Sequence, residues 1–186
     1  ARIKGQVMKS HTKVVIIGGG SLGISLLYHL TKEGWTDLLL VEKGELTSGS
    51  TWHAAGLCSN FIGNMTVAKI HDYSIRLYNE ILPEETGEES SFHQTGSIRI
   101  GYSRLEEEWF RNLDSRAKNV PCEFNIISQA EAQDLHPWAN FDKARIIVST
   151  PNDGHVDPSS VAMPLAQLAR SKGADISRFN RVLEIN

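Results

Sequence analysis

Lys13-Val-Val-Ile-Ile-Gly18-Gly-Gly-Ser-Leu-Gly23, followed by Leu38-Leu-Leu-Val-Glu42-Lys43, decides how this chain folds. Residues 14–17 are consecutive apolar, mostly β-branched residues, the pattern of a strand buried on both faces of a parallel sheet. Gly18, Gly20 and Gly23 then satisfy G-x-G-x-x-G. The first glycine permits a tight turn, the second lets backbone approach a pyrophosphate, and the third lets helix and strand pack closely. Leu22, Leu26, Leu27 and Leu30 recur at helical spacing and predict one apolar helix face against the sheet. That helix starts at Ser21 and Leu22, where its N–H groups and partial positive charge suit a phosphate. Gly34 is placed to stop it.

The second strand covers residues 38–41, with Glu42 at its C-terminal end and Lys43 next. Glu42 lies 19 residues beyond Gly23, where the fingerprint wants a carboxylate for ribose hydroxyls. A carboxylate there would repel the 2′-phosphate of NADP. Strand, glycine turn, helix, second strand and acid in register predict a dinucleotide-binding βαβ unit. A glycine-rich turn in an unrelated α/β domain gives no reason for the acid.

Beyond it runs Thr47-Ser-Gly-Ser-Thr-Trp-His53-Ala-Ala-Gly-Leu57. Ser50 and Thr51 offer hydroxyls, and Gly49 and Gly56 allow backbone to approach a flat ligand. His53 offers a neutral imidazole, a good nucleophile toward an electrophilic carbon. Out of this context, a lone histidine reads as an ordinary loop or core side chain.

The stretch from Glu42 to Leu57 resembles the FAD-dependent amine dehydrogenases and oxidases of the dimethylglycine and sarcosine dehydrogenase group, within the glycine-oxidase-like, DAO-type flavoproteins. The resemblance implies an α/β, Rossmann-like FAD-binding domain with an inserted antiparallel-sheet substrate domain, present here only in its first part. Residues 1–91 would begin the FAD domain, 92–150 would belong to the substrate domain, and 151–186 would return to the FAD domain. The resemblance also implies that Gly49, Ser50, Thr51, Trp52, His53, Ala54, Ala55, Gly56 and Leu57 pass beneath the flavin. They would bind the cofactor together with Gly18, Gly20, Ser21, Leu22, Gly23, Glu42 and Lys43, while backbone at Val182 meets the adenine. His53 would carry FAD through an 8α-histidyl bond.

The implied reaction is oxidative demethylation of dimethylglycine or sarcosine by hydride transfer to flavin. An electron-transfer flavoprotein or oxygen would be the acceptor, and a tetrahydrofolate site would lie in a C-terminal part not present in this sequence. No catalytic residue is assigned within these residues. Two other readings stay open. The regulatory subunit of pyruvate dehydrogenase phosphatase resembles the family but lacks the Trp-His pair that this chain keeps as Trp52-His53. An NAD-dependent dehydrogenase would use the same βαβ unit and leave residues 49–56 without a role.

The chain has 186 residues, 40% of them apolar, enough for the core of one ordinary domain. A net charge of −3 gives no basic footprint for nucleic acid. No apolar run approaches the roughly 20 residues of a membrane span, and residues 1–11 lack the apolar segment of a secretory signal. Cys58 and Cys122 are not metal-spaced and read as reduced thiols of a cytoplasmic protein, or of the mitochondrial matrix in a eukaryote.

Helices are expected over 67–82, stopped by Pro83 and carrying an exposed or capping His71, and over 105–120, stopped by Pro121 with Trp109, Phe110 and Leu113 inward. Strands are expected from Phe92 to Tyr102, over 124–127, over 144–150 and from Arg181. Arg99 reads as a surface arginine, or else one facing a carboxylate. Ser128 and Glu131 form a capping box, and Ser159 is expected to cap a helix through Lys172. Asp153, His155 and Asp157 in D-G-H-V-D-P read as a turn with local side-chain-to-backbone bonds, not as metal ligands.

Overall fold

The computed structural model describes residues 10–60, 63–118 and 122–185. In chain order its elements are β1 (Val14–Ile17), α1 (Ser21–Lys32), β2 (Leu38–Val41), β3 (Leu57–Cys58), α2 (Met65–Arg76), a π turn (Leu77–Ile81) and α3 (Leu82–Thr86). There follow β4 (Ser97–Gly101), α4 (Arg104–Ala117), β5 (Asn125–Ile127), α5 (Gln129–Leu135), β6 (Ile146–Thr150), β7 (Gly154–His155), α6 (Pro158–Ser171) and β8 (Asp175–Ser177). They form two units, one drawn from Ala1–Ala55, Glu84–Glu88 and Asp157–Asn186, the other from Gly56–Pro83 and Glu89–Val156.

The first unit is the βαβ unit extended by one crossover. β1 and β2 pair in parallel, with Val14 opposite Leu38 and Ile17 opposite Val41, and β8 joins the far side of β2, also in parallel. β2 is the strand buried on both faces. β1, expected to be so, is an edge strand among the described residues, in which Ile16 is buried while Val15 and Ile17 are each about half exposed. α1 buries Ile24, Leu27, Tyr28 and Thr31 and packs against α6. The leucine stripe was thus out of phase: Leu22 and Leu26 are exposed, and the true i, i+3, i+4, i+7 face runs through Ile24 and Tyr28. Gly34, at φ 82°, ends α1 as expected: its N–H donates to Thr31 and that of Trp35 to Leu30, a Schellman closure.

α6 starts two residues earlier than expected. Asp157, not Ser159, is its N-cap, because a carboxylate two residues before Ser159 reaches both Ser159 N–H and Ser160 N–H, at 2.8 and 2.9 Å. Pro158 fits the first helical position, where no N–H is needed. The third strand is β8, whereas the segment from Arg181, expected to be a strand, joins no sheet among the described residues.

In the second unit β4, β6 and β5 form an antiparallel sheet in that order, and β3 pairs with β7. Phe110, Leu113, Ala117, Phe124, Ile146 and Val148 make one apolar cluster, and Ala132, Phe141 and Ile147 another. Trp109 is about half exposed, not inward. The strand expected from Phe92 begins only at Ser97, preceded by a single bridge between His93 and His155. Ser103 and Glu106 form a capping box for α4, as Ser128 and Glu131 do for α5. Pro121, the expected stop of α4, lies outside the described residues, and α4 ends at Ala117. Pro83 does not stop the preceding helix. Its missing N–H follows directly on the π turn, where the ladder is already widened, and helix continues to Thr86.

Glu85 ties its short segment to the first unit. Its carboxylate accepts from the fully buried Tyr28 hydroxyl at 2.9 Å and from Lys32 Nζ at 3.0 Å, with Lys172 at 3.5 Å. Burial would raise its carboxyl, but these donors outweigh it and hold the group below its ordinary value. Burial would likewise lower Lys32, yet Glu85 and Tyr28 keep it up at about 12. A depressed carboxyl stabilises fully above its unfolded value of about 4.3 and loses that contribution as pH falls through the lower folded value. Tyr28→Phe is therefore expected to cost about 1.5 kcal/mol in urea unfolding of the full chain. Glu85→Gln should be less stable at neutral pH and lose less than wild type between about pH 5 and 3.

Candidate functional site

The glycine turn is as crowded as its fingerprint requires. A Cβ at Gly23 would lie 2.0 Å from the Gly18 carbonyl oxygen, which is fixed backbone. Gly18 itself sits at φ 110°, a conformation that L side chains rarely adopt. Gly20, the N-cap residue of α1, gives no side-chain cap, so the helix takes one from a distance: Thr51 Oγ1 accepts from Ser21 N–H at 3.0 Å. Leu22 and Gly23 are in the first turn, where helical geometry provides no intrahelical acceptor. No acidic residue occupies that turn, so nothing there opposes an anion.

Glu42 joins the turn to the end of β2. One carboxylate oxygen accepts from Gly19 N–H and the other from Gly44 N–H, each at 2.7 Å. Burial pushes this carboxyl up, but the two N–H bonds and nearby Lys43 bring it below the usual range. Each oxygen retains a lone pair for a further donor. Gly19 was not singled out in the sequence, where it filled an x position. A Cβ there would come within 2.5 Å of Leu46 and 3.1 Å of Glu42, so the third consecutive glycine was the available signal. After β8, Asn180 N–H donates to Glu42 O at 2.9 Å, which sets the approach of the chain toward Val182. Val182 is itself partly exposed, and Lys43 is exposed.

Residues 47–55 continue from this loop. Thr47 N–H donates to Gly19 O at 2.8 Å, and Thr47 Oγ1 accepts from Ser159 at 3.1 Å. Thr47 sits at φ 63°, an outlier for a β-branched residue. The sequence offered no warning of it. Thr51 is buried, whereas Gly49, Ser50, Trp52, His53, Ala54 and Ala55 are exposed. Trp52 Nε1–H donates to Ser48 O at 3.1 Å, and His53 Nδ1 lies 3.0 Å from Gly49 O. A carbonyl only accepts, so Nδ1 is the donor, and in the neutral ring the lone pair is on Nε2. The two rings are 4.0 Å apart between centroids, tilted by 39°.

The second unit holds Gly56 and Leu57. Gly56 O accepts from Val156 N–H at 3.0 Å, and Leu57, exposed, pairs with His155. Asp153 is the other surprise. It closes the expected turn, its N–H donating to Thr150 O at 3.2 Å, but its carboxylate is also a buried hub, accepting from Asn60 N–H at 2.7 Å, Ser97 at 2.6 Å, Thr150 at 2.7 Å and Arg99 at 3.1 Å. Arg99, expected at the surface or facing a carboxylate on the substrate side, is instead partly buried and paired with the chain's own Asp153. His71, partly buried, donates from Nδ1 to Ser59 O at 2.6 Å. Burial, then the charge of Asp153, push the Cys58 thiol up, which leaves it a poor nucleophile. Among the described residues no group of three or more His, Cys, Asp or Glu could hold a metal, and no helix is long and apolar enough to cross a membrane.

The profile of the FAD dependent oxidoreductase family (DAO) matches residues 13–186. Mitochondrial dimethylglycine dehydrogenase of Mus musculus is 45% identical over 166 residues, covering 89% of this chain and 19% of that protein. Mitochondrial sarcosine dehydrogenase of Homo sapiens is 35% identical, covering 91% of this chain and 18% of that one. The regulatory subunit of mitochondrial pyruvate dehydrogenase phosphatase of Mus musculus is 34% identical, covering 96% and 20%. The chain therefore spans about a fifth of the length of these relatives. In fold, it matches L-proline dehydrogenase from P. horikoshii with a TM-score of 0.84 at 24% identity, over 92% of this chain and 45% of that one.

Two substitutions separate crowding from open space. Gly23→Ala should cost about 3 kcal/mol through its clash with Gly18. Gly49→Ala, with nothing within 4 Å, should stay within about 0.5 kcal/mol of wild type in the same urea titration. Asp153→Ala, which leaves Arg99, Ser97, Thr150 and Asn60 without their acceptor, should cost about 3 kcal/mol or more.

Proposed function

Because the chain belongs to the family of FAD dependent oxidoreductases, we propose that the complete protein is an amine dehydrogenase or oxidase that demethylates an N-methylated glycine-type amine, dimethylglycine or sarcosine. The observation that carries this reading is the exposed Trp52-His53 pair on a loop joined by Thr47 and Thr51 to a glycine turn. Bound FAD supplies a two-electron acceptor for the hydride leaving an N-methyl carbon.

The residues present fit that group. Gly18, Gly20 and Gly23 keep the turn clear of side chains, and Ser21, Leu22 and Gly23 open a helix with no acid in its first turn. Glu42 keeps acceptor capacity for ribose hydroxyls beyond its bonds to Gly19 and Gly44. Lys43, Gly49, Ser50, Thr51, Trp52, Ala54, Ala55, Gly56 and Leu57 complete the cofactor set, with the Val182 backbone for the adenine. His53 presents an Nε2 lone pair and is the tether in this reading, holding the flavin through an 8α-histidyl bond. Its role is attachment, not proton transfer.

The rest follows from the same reading. Residues 1–91 and 151–186 serve the FAD domain and 92–150 the substrate domain. An electron-transfer flavoprotein or oxygen reoxidises the flavin, and tetrahydrofolate takes the one-carbon unit in a part of the protein outside this chain. Mitochondrial relatives support the matrix as its place in a eukaryotic cell. A second, regulatory reading is supported by the 34% identity to the phosphatase regulatory subunit.

The full-length protein, denatured and precipitated in acid, should stay yellow and fluorescent on the polypeptide, and His53→Ala should release its flavin to the supernatant. Release from both would remove the tether and keep the FAD assignment. A wild-type protein that never contained flavin would turn the assignment to the regulatory reading.

A further inference from the structure

We propose that Trp52 is the positioning residue for flavin attachment, holding the His53 imidazole in its attacking orientation and stabilising the positive charge that grows on it. The inference rests on the reading of His53 as tether. Trp52 and His53 are consecutive, and each returns its side chain to the carbonyl four residues earlier: Trp52 to Ser48 at 3.1 Å and His53 to Gly49 at 3.0 Å. Trp52 N–H also closes on Thr47 O at 3.2 Å. A hydrogen bond at Nδ1 alone leaves an imidazole free to swing about that contact. The indole ring, its centroid 4.0 Å away and tilted by 39°, restricts this freedom, so the imidazole is held by one polar and one ring contact. Burial does not account for the tryptophan, since 59% of it is exposed.

Attachment makes a bond from an imidazole nitrogen to the flavin 8-methyl carbon and breaks one C–H of that methyl and the imidazole N–H. The two electrons left on the flavin and the two protons leave with dioxygen as hydrogen peroxide. During attack the neutral imidazole becomes cationic, and a cation against an indole face is stabilised more than the neutral ring. The stack is thus worth more in the transition state than in the ground state, which is the condition for accelerating the step. Indole does this better than benzene, and alanine not at all.

The test uses the full-length protein prepared as flavin-free apoprotein and mixed with FAD. Aliquots quenched in acid report, by mass and fluorescence of the washed polypeptide, the rate of covalent attachment. Early fluorescence quenching reports FAD affinity separately. With FAD saturating each protein, Trp52→Ala is expected to attach flavin at least about tenfold more slowly, and Trp52→Phe to fall between it and wild type. Wild-type attachment rates in Trp52→Ala overturn the inference and leave the tether standing. Slow attachment in Trp52→Ala that excess FAD restores to the wild-type rate also overturns it, by making the tryptophan part of the binding wall only. Flavin released from wild type, or retained by His53→Ala, overturns the tether reading itself and the inference with it.

Discussion

Glu42 holds two backbone N–H groups at once, and much of the first unit depends on that grip. Through Gly19 it reaches the glycine turn, and through Gly44 the loop after β2, each at 2.7 Å. The same Gly19 offers its carbonyl to Thr47 N–H, so one glycine lies between the acid and the segment that carries His53. Charge-assisted bonds to backbone amides are about twice as strong as neutral ones. They fix turn, strand end and loop as one object before any ligand arrives. A nucleotide site assembled this way needs little rearrangement to bind, which is where affinity is otherwise lost.

How much of this was legible in the sequence depends on the range of the interactions. The βαβ unit could be read because its signals are local: β-branched runs, glycines at fixed offsets, an acid at the end of the second strand. Capping boxes at Ser128 and Glu131 could be read for the same reason. The phase of α1 does not show in its leucines because the buried face includes Tyr28, whose hydroxyl reaches Glu85. β8 was missed because Asp175-Ile-Ser177 contains a single large apolar residue, and its strand character comes from pairing with β2.

The candidate site divides along the same line. Gly18, Gly20, Gly23 and Glu42 were visible from spacing, while Gly19 and Thr47 matter through contacts that no spacing encodes. Asp153 shows the limit most clearly. A single aspartate beside a glycine reads as a turn, yet its bonds to Asn60, Ser97 and Arg99 span 93, 56 and 54 residues. Long-range polar networks leave almost no local trace. The Trp52-His53 pair stands between these cases, being adjacent in sequence but eloquent only through a resemblance.

The open side of β1 bears on how this part of the chain can be handled. An edge strand normally carries a lysine, a proline, a bulge or a cover that discourages a second chain from pairing with it. β1 is Val-Val-Ile-Ile, with Val15 and Ile17 half exposed and none of those guards within the strand. Produced by itself, this stretch is a template for sheet growth between molecules. Its colloidal behaviour would then be set by four aliphatic residues and not by the thermodynamic stability of the fold.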